Sequence, residues 1–212
     1  NKGNRIKRLV TKAESARILT VVIILVVFFS LSSDVFLTQA NILDNVLRPA
    51  SIVAIIAIGM TFVITSRGLD LSVGATSALA STIGTLALIR FGIPLWVAVL
   101  LTLAIGALVG LFNALIITKI GVAPFIVTLG TYSIGRGLTL VLTGTSFTYG
   151  LPDNYRDLGR GYLLGIPTPI VICLFLWVLS VYLFNYTKWG RYARSIGSNE
   201  NASRLAGVPV DR

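Results

Sequence analysis

The chain reads as an all-α, polytopic membrane protein: a helical bundle of about six transmembrane helices with a cytoplasmic N-terminus. Three observations predict it. Of the 212 residues, 55% are hydrophobic and only 12% charged, with a mean hydropathy of +0.86. A soluble domain of this length carries about twice that charged share. Apolar stretches of about 20 residues, long enough to cross a bilayer, recur along the chain. The Lys and Arg residues gather in the segments that flank those stretches, above all before the first and after the last.

Residues 1–16 form a basic N-terminal segment, 17–187 the membrane domain and 188–212 a cytoplasmic tail. Crossings are predicted over residues 17–36, 50–65, 73–89, 95–117, 124–142 and 169–186. The first lacks an A-x-A-like cleavage site and reads as a retained span. Asn1, in place of an initiator methionine, predicts a trimmed N-terminus. With the N-terminus inside, 13 of the 18 Lys and Arg residues fall on the inner side. Arg48, Arg90, Arg156 and Arg160 fall outside, and Arg136 lies within a span. The opposite orientation would invert that bias, so it is rejected.

The net charge of +10 is placed for topology signalling and anionic lipid, not for nucleic acid. The single cysteine, Cys173, lies within a span and allows no disulfide framework. The chain has no histidine, which removes His-based general acid–base chemistry, His metal ligation and Ser-His-Asp triads together. No G-x-x-x-x-G-K-[ST] phosphate loop is present.

Two spans break their own rules. Residues 50–65 make a short crossing, about 24 Å at 1.5 Å per residue. That crossing runs into S-R-G-L-D-L-S-V-G, residues 66–74. A short segment followed by glycine and an ionisable pair points to a discontinuous helix lining a solute path. The alternative is a tight interfacial turn in which Arg67 pairs with Asp70, and Asp70 or Ser72 caps the next helix. In the fifth span, P-F-I-V-T-L-G-T-Y-S-I-G-R-G-L places Arg136 between two glycines. It either donates hydrogen bonds to a polar solute, or caps carbonyls and snorkels to the outer interface.

A small-residue stripe (Gly74, Ala78, Thr82, Thr85) and Gly106-x-x-x-Gly110 predict close helix contact, within the subunit or between subunits. Asn113 is expected to hydrogen-bond between helices. The outer loop 144–167, with Tyr149, Pro152, Asp153, Tyr155, Arg156, Asp157, Arg160 and Tyr162, is either a solvated connector or a docking surface.

The tail reads W-G-R-Y-A-R-S-I-G-S-N-E-N-A-S-R-L-A-G-V-P-V-D-R. Ser198 and Asn199 are good N-cap types, Glu200 suits the positive first turn, and Gly207 followed by Pro209 ends the helix. A capped amphipathic helix among arginines on one side of the membrane is offered to a partner, or lies on anionic lipid.

These three motifs, R-G-L-D-L-S-V-G, P-F-I-V-T-L-G-T…R-G-L and G-S-N-E-N-A-S-R-L-A-G-V, occur in one order along a chain that resembles, over nearly its whole length, the permease subunits of bacterial ATP-binding-cassette importers for monosaccharides. This is the ribose/galactose/xylose group, related to the branched-chain amino-acid permeases. The resemblance implies a multi-pass protein of the bacterial inner membrane, with about ten helices per complete subunit partly arranged as an inverted repeat. About four of those helices would follow Arg212. It implies a second permease subunit, identical or paralogous, a cytoplasmic ATPase and an extracytoplasmic sugar-binding protein. No cofactor belongs to the chain itself; ATP and Mg are bound by the partner ATPase, and the chain has no catalytic site.

The family's coupling helix, which docks into the ATPase, maps onto residues 197–207, with Gly197, Asn199, Glu200, Ala202, Arg204, Leu205 and Gly207 as the matching positions. A neutral sugar calls for hydroxyl and amide donors, for which Thr61, Thr65, Asn113, Thr128, Thr131 and Ser133 are candidates, with Arg67, Asp70, Ser72 and Arg136 beside the path. The alternatives are an ion-coupled secondary sugar carrier, for which only Asp70 offers a titratable group, and an importer for branched-chain amino acids. An intramembrane enzyme would need a base, and a chain without histidine offers no obvious one.

Overall fold

The computed structural model describes residues 2–144 and 150–210, with side chains from residue 16 onward. It is all-helical apart from one two-residue hairpin. The chain divides into two compact units, residues 1–49 and 50–212.

The first unit holds α1 (Lys2–Ser32) and a π-helical stretch, Asn41–Leu47. From Ile18 to Phe29 every large apolar side chain of α1 is exposed, as expected of a helix whose solvent is hydrocarbon. The helix stops at Ser32, four residues short of the predicted end, and Phe36 folds back onto Phe29 with ring centroids 5.6 Å apart.

The second predicted crossing needs correction. Helical backbone runs from Asn41 through α2 (Arg48–Thr65), 25 residues in all, so the span is not short. Sequence reading ended it at Pro49 and Arg48. The structure accommodates both: Arg48 donates its N–H to the Leu43 carbonyl in the wider π pattern just before the proline. The Arg48 guanidinium meets Asp44 at 2.6 Å, one turn away. Pairing the two charges lets the helix carry them.

In the second unit follow α3 (Val73–Phe91), α4 (Leu95–Leu115) with a π turn at Ile116–Ile120, α5 (Pro124–Thr143), α6 (Asp153–Arg160), the hairpin β1 (Tyr162–Leu163) and β2 (Ile166–Pro167), α7 (Thr168–Tyr186), α8 (Lys188–Ser198) and α9 (Glu200–Leu205). Among the described residues five helices are long and apolar enough to cross a membrane, and residues 16–32 of α1 add a shorter apolar segment. The protein is a multi-pass helical membrane protein.

Helix α3 is the core helix, packed on both α4 and α5. Its small residues let backbones approach without lost side-chain entropy. The buried line is Ala75, Leu79, Ala80, Gly84 and Leu88, met by Ala98 of α4 and Val127 of α5. Of the predicted stripe, Gly74 and Ala78 are exposed and Thr82 and Thr85 half-buried, so the face packed within the chain is rotated from it. Close approach is made at Gly84, where a methyl group would overlap the Thr102 hydroxyl and crowd the Ala98 carbonyl, whereas at Gly135 it would rest in ordinary contact with Ala75. At Gly106 and Gly110 nothing in the described chain comes near, so that motif makes no internal contact here.

The described part of the outer loop, from residue 150, forms a short helix and a hairpin. Pro152 and Asp153 start α6, with Arg160 in its last turn, a charge order that suits the helix dipole. Leu164 and Gly165, both at positive φ, form the hairpin turn. Tyr155 lies 3.0 Å, hydroxyl to hydroxyl, from Thr85 of α3, which ties α6 to the bundle. Tyr149 lies outside the described residues.

Candidate functional site

Two structures meet at the end of the bundle that the charge bias assigns to the cytoplasm: the turn after α2 and the tail.

The turn begins as a helix C-terminus of the Schellman type. Gly68 N–H reaches the Val63 carbonyl at 2.8 Å and Arg67 N–H reaches that of Ile64 at 3.0 Å. The residue in the left-handed position is Arg67, at φ 63°, where glycine is usual. The expected Arg67–Asp70 pair does not form. The Arg67 guanidinium instead donates to the Ser198 carbonyl at 2.9 Å, across 131 residues of sequence. The Asp70 carboxylate accepts from the Ser72 amide at 2.7 Å and from its hydroxyl at 2.6 Å, closing the loop into α3. A short carboxylate has its own backbone within reach two residues on, and that geometry wins over a distant cation.

From Ser72 the hydrogen bonds continue inward. Asn113 of α4 donates to the Ser72 hydroxyl at 3.1 Å, and Thr131 of α5 donates to the Asn113 side-chain oxygen at 2.6 Å. Thr128 donates to the Pro124 carbonyl at 2.8 Å and lies 3.3 Å from that of Leu69. Ser72, Asn113 and Thr128 are 1%, 4% and 2% exposed. In so dry a place each polar group must find a partner, so a chain with every partner present specifies one arrangement of α3, α4, α5 and the turn.

Asp70, Ser72, Asn113, Thr128 and Thr131 are thus brought together; the other predicted path residues are not. Thr61 and Ser133 are exposed and bond carbonyls of their own helices. Thr65 is half-buried, its carbonyl pressed against Gly197. Arg136, exposed, donates to the Tyr132 hydroxyl at 2.9 Å. That contact reaches back one turn toward the start of α5, opposite to the expected outward snorkel.

In the tail the sequence led to one helix; the structure has two. Helix α8 (Lys188–Ser198) absorbs Gly197, and α9 (Glu200–Leu205) follows after Asn199. Asn199 caps α9 by accepting the Ala202 amide at 3.0 Å. Gly207, at φ 79°, closes it, with Val208 N–H bonded to the Ser203 carbonyl. Glu200 and Arg204 pair at 3.4 Å on an open face, and Leu205 is 91% exposed.

Sequence reasoning missed Ser203. It is 2% exposed, 2.7 Å from the Ser195 hydroxyl, and donates to the Asn199 carbonyl, which clamps α9 onto α8. Its spacing of four from the cap residue was the available signal. Helix α8 is fixed in turn: Gly190 packs on the Phe184 carbonyl, and Arg194 lies 4.8 Å from the Phe184 ring centre. That ring meets Phe62 of α2 edge-on at 5.3 Å.

At the other end an apolar cavity of about 590 Å³ lies between α2, α4, α6 and α7, lined by Ile52, Val99, Leu103, Tyr155, Arg160 and Ile172 among others. None of the predicted path residues lines it.

The family model for the permease component of branched-chain amino acid transport systems matches residues 42–212. The chain belongs to that family. Among curated relatives it is 40% identical to the ribose import permease protein of Haemophilus influenzae, over 90% of this chain and 59% of the relative. It is 44% identical to the ribose import permease protein of Bacillus subtilis, over 89% of this chain and 59% of the relative. The D-allose transport system permease protein of Escherichia coli is 33% identical over 89% of this chain and 57% of its own length. The chain spans about three-fifths of the length of these relatives. No solved structure matches it significantly.

Proposed function

We propose that the chain is the membrane-spanning permease part of an ATP-binding-cassette importer in a bacterial inner membrane, carrying a monosaccharide of the ribose type. The family described for branched-chain amino acids is broad, and the names of the relatives favour the sugar reading: they are permeases for ribose and allose. A second permease subunit, a cytoplasmic ATPase that binds ATP and Mg, and an extracytoplasmic sugar-binding protein complete the assembly. The chain contributes no catalytic group of its own.

One observation carries the coupling role. Helix α9 is capped at both ends, clamped to α8 through Ser203, and still turns Leu205 and the Glu200–Arg204 pair outward. A short helix held this firmly while exposing a large apolar side chain is built as a docking element. ATP-driven closure of the ATPase would move it, and the permease helices with it.

The test uses the complete transporter. Replacing Glu200, Arg204 or Leu205 is expected to cut ATP-dependent uptake at least about fivefold, with membrane insertion and capture by the binding protein retained. Unchanged uptake across residues 199–205 overturns the docking role. Uptake that follows an ion gradient and ignores ATP overturns the importer reading in favour of a secondary carrier.

A further inference from the structure

The tail does not hang free of the bundle; it grips one helix end at two levels. At the outer level of this grip, Phe62 of α2, Phe184 of α7 and Arg194 of α8 form one cluster, the two rings edge-on and the guanidinium over Phe184. At the inner level, Gly197 presses against the Thr65 carbonyl so tightly that a methyl group would overlap it, and Arg67 donates to Ser198. Ser198 closes α8, so its carbonyl belongs to the negative end of that helix, where a cation is favoured.

The backbone shows that the Arg67 side chain is wanted. In this turn the left-handed position is taken by arginine while the neighbouring residue is Gly68. A non-glycine there is strained, and such strain persists where the surroundings hold it. Glycine at 67 would suit the backbone better. What arginine adds is the bond to Ser198.

We propose that Arg67 is a positioning residue for coupling, which clamps the inner end of α2 to the tail so that α2 moves with the docked helix. This rests on the docking role proposed for α9. Motion entering at α9 passes through Ser203 to α8, through Ser198 and Gly197 to α2, and through Asp70, Ser72 and Asn113 to α4 and α5. Arg67 thereby belongs to transmission, not to the solute path.

The experiment is Arg67→Gly in the complete transporter, reconstituted with its ATPase and binding protein. If the Arg67 side chain did no more than occupy the turn, thermal stability would be unchanged or higher and transport unchanged, because glycine relieves the strained position. The proposal predicts retained stability and ATP hydrolysis, with sugar moved per ATP hydrolysed falling about fivefold or more. A benzophenone probe on Leu205→Cys reports whether α9 touches the ATPase. An unchanged transport-to-hydrolysis ratio with the cross-link kept overturns this proposal alone. Stability and transport falling together also overturn it, since Arg67 would then be serving the fold. No cross-link in the otherwise unmutated assembly overturns the docking reading, and this proposal with it. Gly197→Ala, which pushes the tail off the Thr65 carbonyl, gives the second measurement and is expected to lower the same ratio.

Discussion

At the scale of single residues, the informative ones are small and polar. Asn113 stands in the middle of an interhelical chain, accepting a hydrogen bond from Thr131 and donating one to Ser72. Its existence as an interhelical bond was legible, because an amide in an apolar span has few other ways to be satisfied. Its partners were not, because no spacing rule connects residues 72, 113 and 131. Asn113→Leu removes a donor and an acceptor at once and leaves the Thr131 hydroxyl without its partner. The expected cost is about 1–3 kcal/mol, read as a lowered melting temperature in detergent. Thr61→Val is the control: that exposed hydroxyl bonds only its own helix, and the expected change is under about 0.5 kcal/mol. Equal shifts for the two variants would show that the buried chain adds nothing. Arg67 and Asp70 make the opposite lesson. Three residues apart, they looked like a pair, yet each found a nearer or better-aimed partner.

At the scale of elements, capping chemistry was the most readable signal and the length of a helix the least. Asn199, Glu200 and Gly207 end and start α9 as their residue types dictate. Asn199→Ala is expected to cost about 1 kcal/mol and to speed amide hydrogen exchange across α9 about fivefold. Asn199→Asp should restore slow exchange, and failure to do so would mean that the cap is not what holds α9. Arg48 and Pro49 looked like the end of a span and instead lie inside one, because a π-helical turn and an adjacent carboxylate supply what a proline and a buried cation take away. Likewise α8 went unread: its apolar residues are too few to show a period, and its stability comes from Phe184, Arg194 and the Thr65 carbonyl.

At the scale of the whole molecule, the two ends of the bundle differ in kind. One end carries the polar chain and the clamped tail, the other an apolar cavity under α6. The charge bias predicts that the first end is cytoplasmic, and labelling tests it. With Cys173→Ser as background, Asn154→Cys is expected to react with an impermeant maleimide added to intact cells, and Asn201→Cys only after permeabilisation. The reverse pattern would invert the topology. The amino-acid order alone determined the membrane class, the crossings apart from the start of the second, the α9 caps and the family resemblance. The first three follow from hydropathy, charge bias and local hydrogen bonding within a few residues, and the resemblance rests on the three motifs. The tertiary structure alone decided which face of α3 is buried, where Arg67 points and that the tail grips α2. Those outcomes turn on which helix backbones approach closely enough to share a hydrogen bond, and that distance is set by packing among segments far apart in the chain.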